Sequence, residues 1–231
     1  MVQITWLGHG TFSFRLETGE VYVVDPWLEG NPKFPAGYQF DRVDGVLVTH
    51  GHFDHIGGVA ELATKFSPTV VAIYEVAHYL SGQGIKNVVG MNKGGTAVVG
   101  PLRATMTHAI HSSGIVGEDG KMIYAGEAAG FVLRFPDGRA AYFAGDTTVF
   151  SDMALIHQLY KPELAFLPIG DLFTMSPHEA RLACELVKAT TVIPMHFGTF
   201  PALTGTPDQL AELTKGVTEV WKLEPGVARN W

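Results

Sequence analysis

Between positions 49 and 55 the chain reads Thr49-His50-Gly51-His52-Phe53-Asp54-His55, directly after the apolar run Gly45-Val46-Leu47-Val48. Four side chains able to bind a metal fall within six residues, and neither packing nor solubility asks for them. Three imidazoles and a carboxylate left desolvated and unpaired are costly, whereas a divalent cation satisfies all of them together. His50 and His52 are two apart, so on a chain leaving a strand they point the same way and grip one ion together. Asp54 and His55 follow where the backbone turns into the next segment, which aims them elsewhere. One short loop can thus serve two ions.

Completing two coordination spheres requires ligands from distant parts of the chain. The sequence offers them where apolar runs end: His111 in Thr107-His108-Ala109-Ile110-His111-Ser112-Ser113, Asp146 in Phe143-Ala144-Gly145-Asp146-Thr147, and His196 in Ile193-Pro194-Met195-His196-Phe197-Gly198. His108, three residues before His111 on the same stretch, competes with it, and periodicity alone does not decide between them.

Taken in order, HxHxDH, a histidine, Gly-Asp and a last histidine resemble the metallo-β-lactamase superfamily over nearly the whole chain. Trp6-Leu7-Gly8-His9-Gly10, Phe166-Leu167-Pro168-Ile169-Gly170-Asp171 with Phe173-Thr174-Met175, and Pro194-Met195-His196-Phe197 with Thr199-Phe200-Pro201 are similar to a bacterial and archaeal branch of metal-dependent hydrolases akin to the ascorbate-phosphate lactonases. The resemblance implies an α/β protein built as a four-layer αββα sandwich with its site at one sheet edge. It also implies that His50, His52 and His111 hold one ion, that Asp54, His55 and His196 hold a second, and that Asp146 bridges them. His111 is preferred to His108 on the same ground, because the family places His-Ser-Ser-Gly there.

Such a shell implies a hydrolase in which two divalent ions share a hydroxide that attacks a small-molecule lactone, ester or phosphoester. Zinc is the expected metal, although imidazole and carboxylate also accept manganese, iron or nickel. Asp54 is a ligand first and a general base second, Asp146 is the bridge, and His9, in the turn between the first two strands, is expected beside the site. An iron-dependent redox enzyme on the same scaffold is the alternative, and a non-catalytic metal-binding module is a third reading. All seven ligand positions being filled argues against the third.

Ligating histidines usually pass their other N–H to a carboxylate or carbonyl. Asp25, after Val21-Tyr22-Val23-Val24, and Asp171, after Leu167-Pro168-Ile169-Gly170, are candidates for that role, and each reads equally well as a turn carboxylate. His78, His157 and His178 lie in or open helical stretches and read as ordinary residues. Ser112 and Ser113 lack an accompanying base and orienting group, so turn capping explains them better than nucleophilic chemistry.

A formal net charge of −7 with no basic stripe disfavours extended nucleic acid, while a small phosphorylated substrate stays compatible. A single cysteine, Cys184, excludes an intrachain disulfide and a cysteine-rich zinc site. No basic start precedes an apolar core at the N-terminus, and no apolar run reaches about 18 residues, so a cytoplasmic protein without membrane contact is expected. With candidate ligands scattered from His50 to His196 and no linker between them, residues 1–231 are expected to form a single unit.

Alternation predicts strands over 2–7, 11–16 and 21–25, a strand over 69–73, and one over 191–195 delivering His196. Helical spacing predicts 57–65 and 74–81. Pro136-Asp137-Gly138 is expected to turn a hairpin within 122–144. Ser176-Pro177-His178-Glu179 and Thr206-Pro207-Asp208-Gln209 each read as a capping box with proline at the first helical position. A last strand is expected over 219–223. The segment 26–42 is too irregular for an element: it is either a loop near the site or a surface loop tucked down by its own aromatics. Pocket walls are expected from Trp27, Phe34, Met91-Asn92-Lys93 and Phe173.

Overall fold

The strands assemble into two seven-stranded sheets in the computed structural model, which describes residues 1–231. The first part of the chain supplies β1 (Val2–Trp6), β2 (Phe12–Leu16), β3 (Val21–Val24), β4 (Gly45–Leu47), α1 (Phe53–Ile56), α2 (Val59–Phe66), β5 (Thr69–Ile73), α3 (Tyr74–Gly82) and β6 (Val88–Met91). The second supplies β7 (Thr96–Val99), β8 (Leu102–His108), β9 (Gly114–Val116), β10 (Met122–Tyr124), β11 (Ala129–Arg134), β12 (Ala140–Phe143), α4 (Met153–Tyr160), β13 (Leu164–Pro168), α5 (Pro177–Val187), β14 (Thr191–Met195), α6 (Pro207–Leu213), β15 (Glu219–Val220) and β16 (Ala228–Asn230).

Spatial order is β16-β1-β2-β3-β4-β5-β6 in one sheet and β15-β14-β13-β12-β11-β8-β7 in the other. Each sheet is built alike. Starting from β16 or from β7, three antiparallel pairings are followed by three parallel ones. The parallel halves need crossovers, and helices supply most of them.

Period-two alternation explains why the second sheet is buried on both faces. Phe131, Leu133, Ala141, Phe143, Leu164, Phe166, Ile193 and Met195 point into a cluster of 39 buried residues between the sheets. Their neighbours Val132, Tyr142, Ala165, Leu167 and Val192 point the other way, into a 17-residue cluster shared with Met153, Ile156, Ala180, Cys184 and Leu210 of α4, α5 and α6. On the opposite side, Val59 and Leu62 of α2 and Val76 and Leu80 of α3 join the first cluster. Helix, sheet, sheet, helix is the result, which is the αββα sandwich of the metallo-β-lactamase fold. Both capping boxes form, with Ser176 accepting from the Glu179 N–H and Thr206 from the Gln209 N–H.

Three boundaries differ from expectation. The helix expected over 57–65 begins at Val59 and is preceded by a separate turn of helix, α1, that carries Asp54 and His55. The 122–144 hairpin is really β11 with β12; Met122–Tyr124 pairs instead with β9 as a separate two-stranded ribbon. The final strand stops at Val220, and β16 pairs with β1 beyond it. β16 is exposed and polar, so alternation had no apolar face to report.

Phe166 sits at the meeting of both sheets, its ring 4.9 Å from Phe12, 5.4 Å from Phe14 and 5.3 Å from Phe143. Phe166→Ala is expected to cost about 3–5 kcal/mol. Urea unfolding should show a lower midpoint with an unchanged slope.

Candidate metal centre

Strand ends, with the loop and α1 that follow β4, deliver the candidate ligands and their partners to one edge of the sandwich. His9 follows β1, Asp25 follows β3, His50 follows β4, His111 follows β8, Asp146 follows β12 and His196 follows β14. Three of these, His9, Asp25 and His196, have positive φ of 54°, 49° and 55°. Non-glycine residues rarely adopt this conformation, and it persists only where surrounding contacts fix it. Here the contacts are visible: the His196 N–H donates to the His9 carbonyl at 3.2 Å, and the Trp6 indole N–H donates to the same oxygen at 2.9 Å.

Asp146 lies at the centre. Its Oδ2 is 2.9 Å from His196 Nε2, 3.3 Å from His55 Nε2, 3.7 Å from His111 Nε2 and 3.9 Å from His50 Nε2. His50, His52 and His111 form one group of converging donor atoms, and His9, Asp54, His55 and His196 form another. His50 Nε2 and His52 Nδ1 are 2.9 Å apart. Two lone pairs on one tetrahedral zinc, at about 2.0–2.1 Å each, stand about 3.3 Å apart, so this spacing fits a shared cation. His55 Nε2, Asp146 Oδ1 and His196 Nδ1 are buried without a hydrogen-bond partner. His55 and Asp146 belong to one converging group with His50, and a metal ion is the group that fits there.

Asp25 organises the ligands from behind. Fully buried, it accepts from the Thr49 N–H at 2.8 Å, from the Thr49 hydroxyl at 2.7 Å and from His55 Nδ1 at 2.8 Å. Because the Nδ1 proton of His55 goes to Asp25, any second proton sits on Nε2, and its loss leaves a lone pair there facing Asp146. Thr49 donates to Asp25 and so accepts from His50 Nδ1 at 3.0 Å, which leaves His50 Nε2 free as well. One carboxylate therefore sets the tautomer of two ligands.

His9 plays a similar part for Asp54. Its Nε2 is 2.9 Å from Asp54 Oδ2 and its Nδ1 is 2.5 Å from the Thr199 hydroxyl. Burial lowers the His9 pKa to about 4, against the opposing pull of Asp54, so the ring is neutral near pH 7. A neutral ring donating to a carboxylate must accept at the other nitrogen, so Thr199 donates to Nδ1.

Burial also lowers His50, further helped by His55. His55 goes the opposite way: burial works against its charge, but Asp146, Asp25 and Asp54 outweigh it and raise the pKa well above the usual range. Asp146 is held well below the ordinary carboxylate range because His196 and His55 overcome the cost of burial. Positive charge is thus favoured where the three carboxylates meet. A cation there would take the place of the proton on His55.

The structure separates the alternatives that spacing left open. His111 is in the cluster; His108 is exposed, 3.0 Å from Lys93 Nζ and edge-on to Phe150. Asp171 does not reach the ligands. It is exposed, with φ of 68°, and its side chain accepts from the Leu172 N–H, because the chain turns outward after β13. His78 and His178 are exposed and His157 is half-buried, all outside the cluster. Ser113 braces the ligand loop, accepting from the Gly51 N–H at 3.1 Å and donating to the Ala125 carbonyl. Ser112 stands 3.4 Å from His52 Nε2.

A cavity of about 620 Å³ opens over the centre, with Phe173 among its walls. Phe34, Met91, Asn92 and Lys93 do not line it; Phe34 packs on Tyr38 within its own loop. Trp27 stands behind the wall, edge-on to Phe53 and stacked on Phe200. Phe53, Phe200, Pro201 and Ala202, which do line the cavity, were not expected. Phe53 sits inside the ligand motif itself, and that position was its only signal.

Residues 21–197 match the model of the Beta-lactamase superfamily domain, a span that contains all seven candidate ligands. The chain belongs to this superfamily. A UPF0173 metal-dependent hydrolase of Solibacter usitatus is 63% identical over 100% of both chains. The solved structure of Igni18, a novel metallo hydrolase from Ignicoccus hospitalis, is 31% identical, covers 100% of this chain and 99% of its own, and superposes with a TM-score of 0.85. CmlA, a diiron β-hydroxylase from Streptomyces venezuelae, shares the fold at 16% identity, with a TM-score of 0.76 over 99% of this chain and 53% of its own. His9 and Thr199 lie outside the matched span. Among all these features, no helix of the superfamily member is long and apolar enough to cross a membrane.

Two outcomes follow from the geometry. Asp25→Ala should weaken metal affinity about 10- to 100-fold, since partners of ligating histidines contribute on that scale; competition with a chromogenic chelator measures it, and wild-type affinity would contradict the role. Because the raised pKa of His55 makes its proton a competitor for the cation's place, adding zinc to chelator-stripped protein should release protons, and affinity should rise with pH. A pH-stat reading of no release would contradict this.

Proposed function

We propose that the chain is a hydrolase working through two divalent ions, zinc first, on a small-molecule lactone, ester or phosphoester. The observation that carries this reading is the Asp146 carboxylate, with one oxygen within 3.9 Å of four imidazoles and the other without a partner. A buried carboxylate so placed is suited to span two cations. His50, His52 and His111 would hold one ion, and Asp54, His55 and His196 the second. No thiolate takes part, so the donor set accepts zinc and tolerates manganese, iron or nickel. When bound, such a pair supplies Lewis acidity and water whose pKa falls from about 15.7 toward about 7.

The chain's own residues prepare that chemistry. Asp25 holds the proton at His55 Nδ1, and His9 holds the proton at Nε2 that is donated to Asp54. Burial works against the Asp54 charge, but His55 and His9 outweigh it and keep its pKa below the usual range, so Asp54 orients rather than donates a proton near pH 7. Ligands from 50 to 196 complete one centre, which supports reading residues 1–231 as one functional unit. The metal-dependent hydrolase relatives and the metallo hydrolase neighbour support the reaction class.

Metal analysis of protein expressed with zinc should find about two ions per chain. Asp146→Ala should abolish turnover of ester and phosphoester test substrates while circular dichroism stays that of the parent. Full activity in that variant sinks the bridging role. Iron content with oxygen-dependent turnover would replace hydrolysis by redox chemistry.

A further inference from the structure

The wall of the cavity facing away from the ligands is apolar, and its mouth is unusual. Phe53 and Phe173 are 61% and 52% exposed, and Leu172 beside the latter is 66% exposed. Large apolar side chains gathered at the opening of a cavity are more informative than the same residues scattered singly, because water contact costs them stability. Packing holds Phe53, and backbone geometry shapes the loop that carries Phe173. Phe53 meets Trp27 edge-on at 5.6 Å, and Trp27, buried, stacks on Phe200 at 5.6 Å. Phe173 is carried by a loop in which Asp171 and Leu172 are consecutive residues of positive φ, closed by the Asp171 N–H donating to the carbonyl of buried Met175. A ligand thus meets a preformed aromatic surface.

Charge is equally selective. None of the lining residues is Lys or Arg. Lys93 is 2.7 Å from Glu127, and Lys33 lies by the Phe197 ring, its Nζ 6.0 Å from the centroid; neither lines the cavity. Recognition of a phosphate or a remote carboxylate relies on Arg forks or Lys, and this wall has neither.

We propose that the cavity takes an uncharged carboxylic ester or lactone whose group beyond the carbonyl is aromatic or long-chain aliphatic, seated against Phe53, Phe173 and Phe200, and that it disfavours phosphorylated compounds. This rests on the hydrolase reading above. Water's oxygen adds to the carbonyl carbon and the bond from that carbon to the leaving oxygen breaks. The released alcohol keeps one proton, and the new carboxylic acid gives the other to solvent. A volume of about 620 Å³ accommodates a drug-sized acyl compound.

The test uses the full chain loaded with zinc and 4-nitrophenyl acetate, butyrate, octanoate and phosphate. The value of kcat/KM should rise about two- to fourfold per added methylene until the cavity is filled, with the phosphate turned over more slowly than the octanoate. Phe173→Ala, at an exposed position, should lower the octanoate-to-acetate ratio. A level series, or faster turnover of the phosphate, overturns the proposal. Should no compound be hydrolysed, the hydrolase reading fails separately, and calorimetric titration decides the pocket: tighter binding of 4-phenylbutan-2-one than of phenyl phosphate upholds the apolar assignment, and the reverse order or no binding of the ketone refutes it.

Discussion

A carboxylate with no access to water, Asp25, holds the ligand loop in place. Burial raises its pKa, and one backbone N–H, one hydroxyl and one imidazole converge on it to oppose that cost. Removing any of the three would leave a buried acceptor short of partners, which is costly in a low-dielectric interior. The same contacts fix how Thr49, His50 and His55 leave β4 and enter α1. Stability of the β3–β4 edge and geometry of the ligands are therefore one property, not two.

From this edge outward, the two sheets contribute in parallel fashion. The first brings His9, Asp25 and the HxHxDH loop; the second brings His111, Asp146 and His196. Buried aromatic residues between the sheets hold the two edges in register, with Phe12, Phe143 and Phe166 in mutual contact. Because interiors are close-packed, a shift there is passed to the strand ends and not absorbed. The rim of the cavity is made differently, from loop residues: Phe173 stands exposed at the mouth, whereas Phe200 also packs edge-on against His9.

The candidate cluster was legible in the sequence because imidazoles and carboxylates at strand ends have few other uses, and because their order along the chain resembles a known superfamily. The choice of His111 over His108 came from resemblance; the physical reason is that the chain past β8 turns His111 inward and leaves His108 on Lys93. Asp25 and Asp171 looked alike, each after an apolar run. Only tertiary placement separates them: β3 lies beside β4, which carries the ligand loop, whereas the chain leaves β13 toward solvent. Period-two strands such as β11 were equally plain, while β16 lacked any apolar alternation. Thr199 was invisible as a partner of His9, since a contact spanning 190 positions leaves no local trace.

The matched order of antiparallel and parallel pairings in the two sheets has a kinetic consequence. Neither sheet alone gathers a complete set of donors, and β1 joins β16 through the pairing of Gln3 with Asn230, near opposite ends of the chain. Contacts this remote are slow to form, because loop closure comes before any reward from packing. A cation offered to the nascent protein would meet only the local HxHxDH segment at first. Under the two-ion reading, completion of the site would wait on the docking of both layers.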